Sequence, residues 1–460
     1  EISACLVGSE MCIRDSTNKL DLTKAGGDIV VVGDSADDVF AFRDDQVAGD
    51  FKEGTTLSLQ GTSYDLTTKG NDILQNVALT MTGGKLTVNS DLNTSNRLVG
   101  GLTIGNAVID FGQIGGGAGA VDLQGKGFDV TDDTTVTLNA KLTSVADADG
   151  SAAFVDNVSG AKVTLVTNAD GITDEELAYL ESVSGKAVSR DLVQKVGETD
   201  TVVAKLKGEF SDFSVSGESG HQNLNVGLGF NVLEIQNEQT YTVSSGGTIG
   251  LKITDEGQLG GGLTVTGANT VLTLSNSEND YRGATNVKSG ADLVLADDNV
   301  LGNTGALNTD SDTSVHFGDT NQTVGAIHAS GLLVSDEEAS GKLTITAGGD
   351  VSGANEDFHL DVDLTGSEEL MLTDVAALGN GNTINIANNG TELILANADG
   401  NFTNNLNGAG SLRISAGSDV TLTGKNKLEG GLAVDVSGKV SAGGNIYDHI
   451  GTGCLLYTSD

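Results

Sequence analysis

Short apolar beats return along this 460-residue chain at a period near twenty. In the middle of the chain they read Leu272-Thr-Leu274, Leu293-Val-Leu295 and Val315-His-Phe317. Leu274 and Leu295 are 21 residues apart, and Leu295 and Phe317 are 22 apart. Near the end the rhythm is Leu393-Ile-Leu395, Leu412-Arg-Ile414 and Leu432-Ala-Val434, with spacings of 19 and 20. A strand-length beat of this kind cannot bury its face alone. It is stable only when stacked on the next copy, which is the condition for a solenoid. A second series, Ile384-Asn-Ile386, Phe402, Val420-Thr-Leu422 and Val440, interleaves with the last one. Two series at one period require at least two strands per coil, stacked in parallel. The expected fold class is therefore all-β, a parallel β-helix of on the order of 20 coils. The general preference for right-handed crossovers makes it a right-handed one.

Composition agrees where it bears on this. Proline is absent, while glycine numbers 65. In a long parallel ladder every interior N–H has a partner, so proline is excluded and the turns fall to Gly, Asn and Asp. From Asp21 to about Asp170 the strand signals have polar centres, as in Leu57-Ser-Leu59, Leu86-Thr-Val88, Leu102-Thr-Ile104, Val136-Thr-Leu138 and Val163-Thr-Leu165. One face is apolar and the other polar. The formal charge of −40 comes with no basic stripe and no aromatic platform, so no nucleic-acid partner is expected. No apolar run reaches membrane-spanning length, so no membrane span is expected in this fragment.

The chain divides at four places. Residues 1–16 and 451–460 share no rhythm with the interior, and all three cysteines (Cys5, Cys12, Cys454) lie near the ends. Both ends resemble translated sequencing-adapter reads and are left out of the fold argument. The chain is then an interior fragment, and a missing signal peptide or anchor carries no information. Residues 17–170 read as β-helix, 171–197 as a helical insertion, and 198–450 as β-helix again. The cluster Gly115–Gly119 reads as a turn. In the insertion, Thr173 is placed as N-cap with Glu176 as its capping-box partner, Ile172 and Leu177 form a hydrophobic staple, and Gly185 stops the helix. A second amphipathic helix is expected on Val188, Leu192, Val193 and Val196, closed by Lys195 and Gly197. The insertion reads as a lid on the coil beneath it, with a recognition element as the alternative.

The chemistry-bearing residues are sparse. Gly33-Asp34-Ser35 has the form of a serine nucleophile but lacks the following glycine and any recognisable His and Asp partners, so it reads as a turn. The five histidines, His221, His316, His328, His359 and His449, show no zinc-ligand spacing. His359, Asp361 and Asp363 alternate on the polar side of one strand and are the one weak metal candidate, for a hard cation held by oxygens; a solvated outer face is the blander reading. Asp44-Asp45, Asp132-Asp133, Asp297-Asp298 and Glu337-Glu338 read as solubilising turn charge. No catalytic residue and no cofactor is expected. A carbohydrate-cleaving β-helix needs paired carboxylates or a calcium cluster with a basic residue, and aromatic faces for sugar rings; this chain has no Trp.

One stretch carries a family resemblance. Asn279-x-Tyr281-x-Gly283-x-Thr285, Ser289-Gly290-x-x-Leu293-x-Leu295, Leu301-Gly302-x-x-Gly305-x-Leu307 and Asn321-Gln-Thr-Val-Gly325, followed by Ser330-Gly331, occur in order. This region, 261–331, resembles the passenger-associated transport repeat of bacterial autotransporters. It departs at Arg282 and Asp292, which look like solvent-facing substitutions. The resemblance implies a β-helical stalk displayed on a Gram-negative cell, anchored at the outer membrane through a C-terminal translocator barrel missing from this chain. It implies a structural and adhesive role in virulence, without catalysis, toward host or neighbouring-cell surface molecules, protein or glycan. The alternatives are a β-helical polysaccharide lyase or glycosidase and a phage tail-spike-like rod.

Overall fold

The computed structural model describes residues 3–6, 20–21, 28–32, 39–40, 47–48, 54–65, 77–88, 96–97, 101–110, 121–131, 135–139, 162–182, 187–255, 260–443 and 457–458. It forms two compact units, Glu1–Val145 with Asn157–Leu192 and Leu206–Asn231, and Ala146–Asp156 with Val193–Lys205 and Val232–Asp460. Both are built almost entirely of strands, and most strand pairs are parallel.

In the first unit two ladders run side by side. Asp28–Val32, Thr55–Gln60, Val77–Thr82, Leu102–Gly105 and Val121–Thr131 pair in parallel, each with the next. Val39–Phe40, Ser63–Asp65, Lys85–Thr87, Val108–Asp110 and Thr135–Asn139 do the same. Strict alternation puts Leu57, Leu59, Leu79, Met81, Leu102 and Ile104 inside. Serine and threonine between them face outward, as the period-two pattern requires. At the start, Ser3–Leu6 runs antiparallel to Asp28–Val32.

The ladder then changes character. Lys162–Asp170 pairs in parallel with Val121–Thr131 on one side and antiparallel with Gln222–Ile235 on the other. Thr199–Ser216 is the neighbour of Gln222–Ile235 in the sheet order. Gly208 is required there, since a Cβ on it would lie 2.0 Å from the carbonyl oxygen of Gly229. These long strands use residues that would otherwise wind further coils, which lowers the coil count below the twenty inferred from length.

The insertion is half helical. Asp174–Ser182 is an α-helix and its cap forms as the sequence predicts. Thr173 Oγ1 accepts the Glu176 N–H at 3.2 Å, and the Glu176 carboxylate accepts the Thr173 N–H at 2.7 Å. Ala187–Val196, expected as a second helix, is a strand. Val188, Leu192 and Val196 stand four apart, and four is a multiple of two, so their spacing fits a strand face as well as a helix stripe. The partner decided it. Val188 pairs in register with Leu138, and Val188, Arg190 and Leu192 are buried in alternation while Val196 is exposed. Gly197 is a left-handed turn residue (φ 65°) after that strand. Gly185, Gly115–Gly119 and the interior of the two ends lie outside the described residues.

The second unit is a parallel β-solenoid with three faces, where the sequence required at least two. One coil runs through Ala306–Thr309, Ser314–His316 and Gln322–Val324 before returning at Ala326–Ala329. The first face is an eleven-stranded sheet from Thr240–Val243 to Tyr457–Thr458, and it contains the Leu393, Leu412 and Leu432 beats in register. The second face is five-stranded from Gly247–Ile249 to Leu332–Val334; a three-stranded sheet, Asp399–Phe402 to Lys439–Ala442, later takes the same place in the coil order. The third face is six-stranded, Gln322–Val324 to Asn426–Leu428. The interleaved apolar series thus splits, with Ile384 and Ile386 on the third face and Phe402, Val420 and Val440 on the second. Leucine, isoleucine, valine and phenylalanine stack inside, and Phe317 meets Phe358 edge to face with ring centroids 5.6 Å apart.

Candidate functional site: the corners and lateral faces of the second unit

The motif stretch is consumed by the coil itself. Asn279 is buried. Its side-chain Oδ1 accepts the Ile253 N–H at 2.7 Å from the coil before, and its side-chain Nδ2 donates to the Val300 carbonyl at 2.7 Å on the coil after. Tyr281 is fully buried, its hydroxyl 2.8 Å from Thr285 Oγ1, which lies 2.9 Å from Thr304 Oγ1. Burial pushes the Tyr281 phenol well above its ordinary range, and the Thr285 bond offsets only part of that. Gly283 has no room for a side chain, since a Cβ would sit 2.5 Å from the Gly261 backbone; one on Gly325 would sit 2.1 Å from Gly305 O. The repeated glycines mark a corner where backbones stack directly.

Carboxamides recur as interior staples. Asn355 accepts the Leu333 N–H at 2.9 Å and donates to the Ala377 carbonyl at 2.7 Å. Asn382 donates to Phe358 O and Leu378 O at 2.9 and 2.8 Å, and its N–H is accepted by Asn404 at 2.9 Å. Turns do not follow the ladder pattern, so their buried backbone groups need side-chain partners.

Turn carboxylates do the same at the surface. Asp298, from the doublet read as solubilising charge, accepts the Asn321 N–H at 2.7 Å and its side-chain amide at 3.1 Å. Asp319 accepts the Ser340 and Gly341 N–H groups at 2.6 and 2.8 Å. These backbone donors hold both carboxyls below the usual range. The charge at these corners is thus structural as well as solubilising. Glu337-Glu338 occupies a turn; Asp44-Asp45, Asp132-Asp133, Gly33-Asp34-Ser35 and His449 lie outside the described residues.

The weak metal candidate is drawn into coil-to-coil contacts. The His359 N–H donates to Ser335 Oγ at 2.8 Å, Asp361 accepts the Thr383 N–H at 2.8 Å, and Asp363 forms an ion pair with Lys342 at 3.0 Å. Among the described residues no three His, Cys, Asp or Glu side chains converge on one point. Arg282 is exposed, as expected, and Asp292 is half-buried on the outer side of its strand.

Register creates clusters that spacing along the chain concealed. Asp292 and Ser314 pair across adjacent strands. The Ser314 hydroxyl donates to the Asp292 carboxylate, and its oxygen lies 3.0 Å from His316 Nε2. In an acyl-transfer triad the imidazole stands between serine and carboxylate. Here the serine stands in the middle, between carboxylate and imidazole, which is not the triad order. The Ser314 N–H is bonded to Ala291 O at 3.3 Å and is not free to stabilise an oxyanion. The cluster locks an outer face. The signal for it was the 22-residue offset between Asp292 and Ser314, one coil.

On the first face Asn308 donates to Asn286 at 2.8 Å and Asn286 to Thr264 at 3.2 Å. Further along, His328 and Asp350 form a pair at 2.5 Å, and Arg413 is clamped by Asp435 at 3.0 Å with Glu392 3.8 Å away. Burial pushes the Glu392 carboxyl up, against the pull of Arg413. In the first unit the helix is tied down through Glu181, which accepts the Phe213 N–H at 2.7 Å, and through buried Leu180.

Two curated relatives from Escherichia coli K12 are similar to this chain. An uncharacterized lipoprotein, YdeK, is 30% identical over 284 residues, covering 57% of this chain and 21% of the relative. An uncharacterized protein, YuaQ, is 25% identical over 390 residues, covering 76% of this chain and 27% of the relative. The chain therefore spans about a quarter or less of the length of the curated relatives it matches. No family model matches, and no solved structure matches. No helix among the described residues is long and apolar enough to cross a membrane.

Proposed function

We propose that this chain is part of a secreted, surface-displayed passenger of the autotransporter kind, in which the coils act as a non-catalytic structural and adhesive rod. The observation that carries the reading is the corner at Asn279, Tyr281, Gly283 and Thr285. Asn279 bonds to the coils before and after it, Gly283 lies against the Gly261 backbone, and buried Tyr281 is held by Thr285, so the motif builds coils and leaves the lateral faces for contact. Coil-on-coil accretion lets such a chain fold locally as it emerges. The much greater length of the relatives supports a larger parent protein in which an anchoring barrel has room, and the lipoprotein name of one relative supports a cell-envelope setting. Partners on this reading are surface molecules of host or neighbouring cells.

The test is a long read of the source locus through both ends of this sequence. A downstream frame of roughly 250 to 300 residues made of ten-residue alternating strands is the expected barrel. A frame running into tail-fibre or glycosidase-like sequence overturns the reading. Catalysis is tested separately by incubating the chain with a panel of polysaccharides; cleavage that a single carboxylate substitution abolishes removes the word non-catalytic.

A further inference from the structure

Charge is unevenly distributed along the second unit. Between Thr383 and Gly443 there are five acidic and four basic residues, in a chain whose net charge is −40. The same coils are dense in asparagine, with ten between Asn380 and Asn407. Asn382 and Asn404 are interior staples. Others stand outward in register: Asn385, Asn407 and Lys427 on successive strands of the third face, and Asn401, Thr421 and Ser441 on the second. Unlike the Thr264–Asn286–Asn308 column, the side chains of Asn385, Asn407, Asn401, Thr421 and Ser441 make no hydrogen bond to one another or to any other described residue.

We propose that these near-neutral coils bind an uncharged, polyhydroxylated glycan along their second and third faces. A carboxamide offers two donors and an acceptor, which suits neighbouring sugar hydroxyls, and strands stacked ~4.8 Å apart repeat that offer at close intervals. The charge distribution selects the partner. Anionic polymers are repelled by the acidic remainder of the chain, and a patch this close to neutral has little to attract a cationic one. A protein partner would need apolar or aromatic anchors, and among the described residues of these coils Val436 is the one large hydrophobic side chain that is exposed. Without an aromatic platform each contact is weak, so retention depends on many sugars meeting many coils.

This inference rests on the adhesive reading, and the experiment separates the two. The full chain is immobilised and exposed to mannan, dextran and galactan, with alginate and hyaluronate as acidic comparators, at ~0.05 and ~0.5 M NaCl. The expected result is retention of a neutral polysaccharide that salt does not change. Combined Asn385→Ala, Asn401→Ala and Asn407→Ala should lower retention by ~10-fold or more, because avidity is lost with the repeat, and Asn401→Arg with Asn407→Arg should do the same by blocking the face. Asn286→Ala with Asn308→Ala should leave it unchanged. Circular dichroism confirms that each variant keeps its β spectrum. If chain-coated beads adhere to cells but hold no neutral polysaccharide, or hold one regardless of the triple substitution, this inference falls and the adhesive reading stands. Retention of only the acidic polymers also overturns it. Beads that adhere to no cell and hold no polysaccharide remove both.

Discussion

Replacing Asn355 by alanine tests how the irregular parts of the coil are held. Asn355 is 2% exposed and bonds to Leu333 N–H and Ala377 O, one on each neighbouring coil. Truncation leaves both backbone groups buried without their partner. Each such group costs about 1–3 kcal/mol, so Asn355→Ala should destabilise the unit by about 2–6 kcal/mol. A half-buried carboxamide on the outer side of its strand such as Asn308, bonded to Asn286, should lose under about 1 kcal/mol on the same change. Guanidinium denaturation gives the total, and amide exchange gives the location, because solenoid stability is a sum of neighbour terms and unfolding need not be all-or-none. The Leu333 amide should lose protection while amides several coils away keep theirs. Asn355→Asp is a sharper probe. It keeps the acceptor for Leu333 but cannot donate to Ala377 while ionised, so its deficit should shrink in acid as the carboxyl gains a proton. A cost below about 0.5 kcal/mol for Asn355→Ala, with Leu333 still protected, would refute the staple argument.

Gly325→Ala should destabilise by about 1–3 kcal/mol, since its Cβ would fall 2.1 Å from Gly305 O and the stacked corner must shift; denaturant midpoints measure it. Thr173→Ala removes the N-cap of Asp174–Ser182 and should cost about 1 kcal/mol, read as faster amide exchange in the first helical turn with the strands unaffected. Asp298 and Asp319 have lowered carboxyls, so their contribution is present above the ordinary carboxylate range and is lost as pH falls through their lowered values. Glu392, raised by burial, has the opposite sign, its contribution being lost as pH rises through its raised value. Asp298→Asn with Asp319→Asn should therefore flatten the acid arm of a melting-temperature profile, and Glu392→Gln should flatten the change above it. An acid arm as steep as that of the unsubstituted chain would remove the capping role.

The apolar beats at 19 to 22 residues and the missing proline carried the architecture, because a face two or three residues wide can be buried only by its own repeat. Thr173 and Glu176 carried the helix start, since a capping box is closed within four residues. Ala187–Val196 was not legible in the same way. A spacing of four satisfies both periods, and the choice was made by Leu138, fifty residues away, offering a ladder partner to Val188.

The third face was likewise hidden. Ile384 and Phe402 look like one series in the chain, and only the coil corners assign them to different sheets. The resemblance at Asn279–Thr285 pointed to the right stretch, but the inward direction of those side chains appears only when the coils are stacked. His359, Asp361 and Asp363 alternate along the sequence and so looked like one strand face, but the strand is Asp361–Leu364 and leaves His359 outside it, while Asp361 and Asp363 are engaged by Thr383 and Lys342 on other coils. Asp292, Ser314 and His316 show the reverse, one coil apart in sequence and adjacent in space. Local periodicity thus determines that the chain winds, because burial of a repeated stripe is a property of the stripe. Which residues meet across the coils depends on register, and register is set by the length of every turn between them.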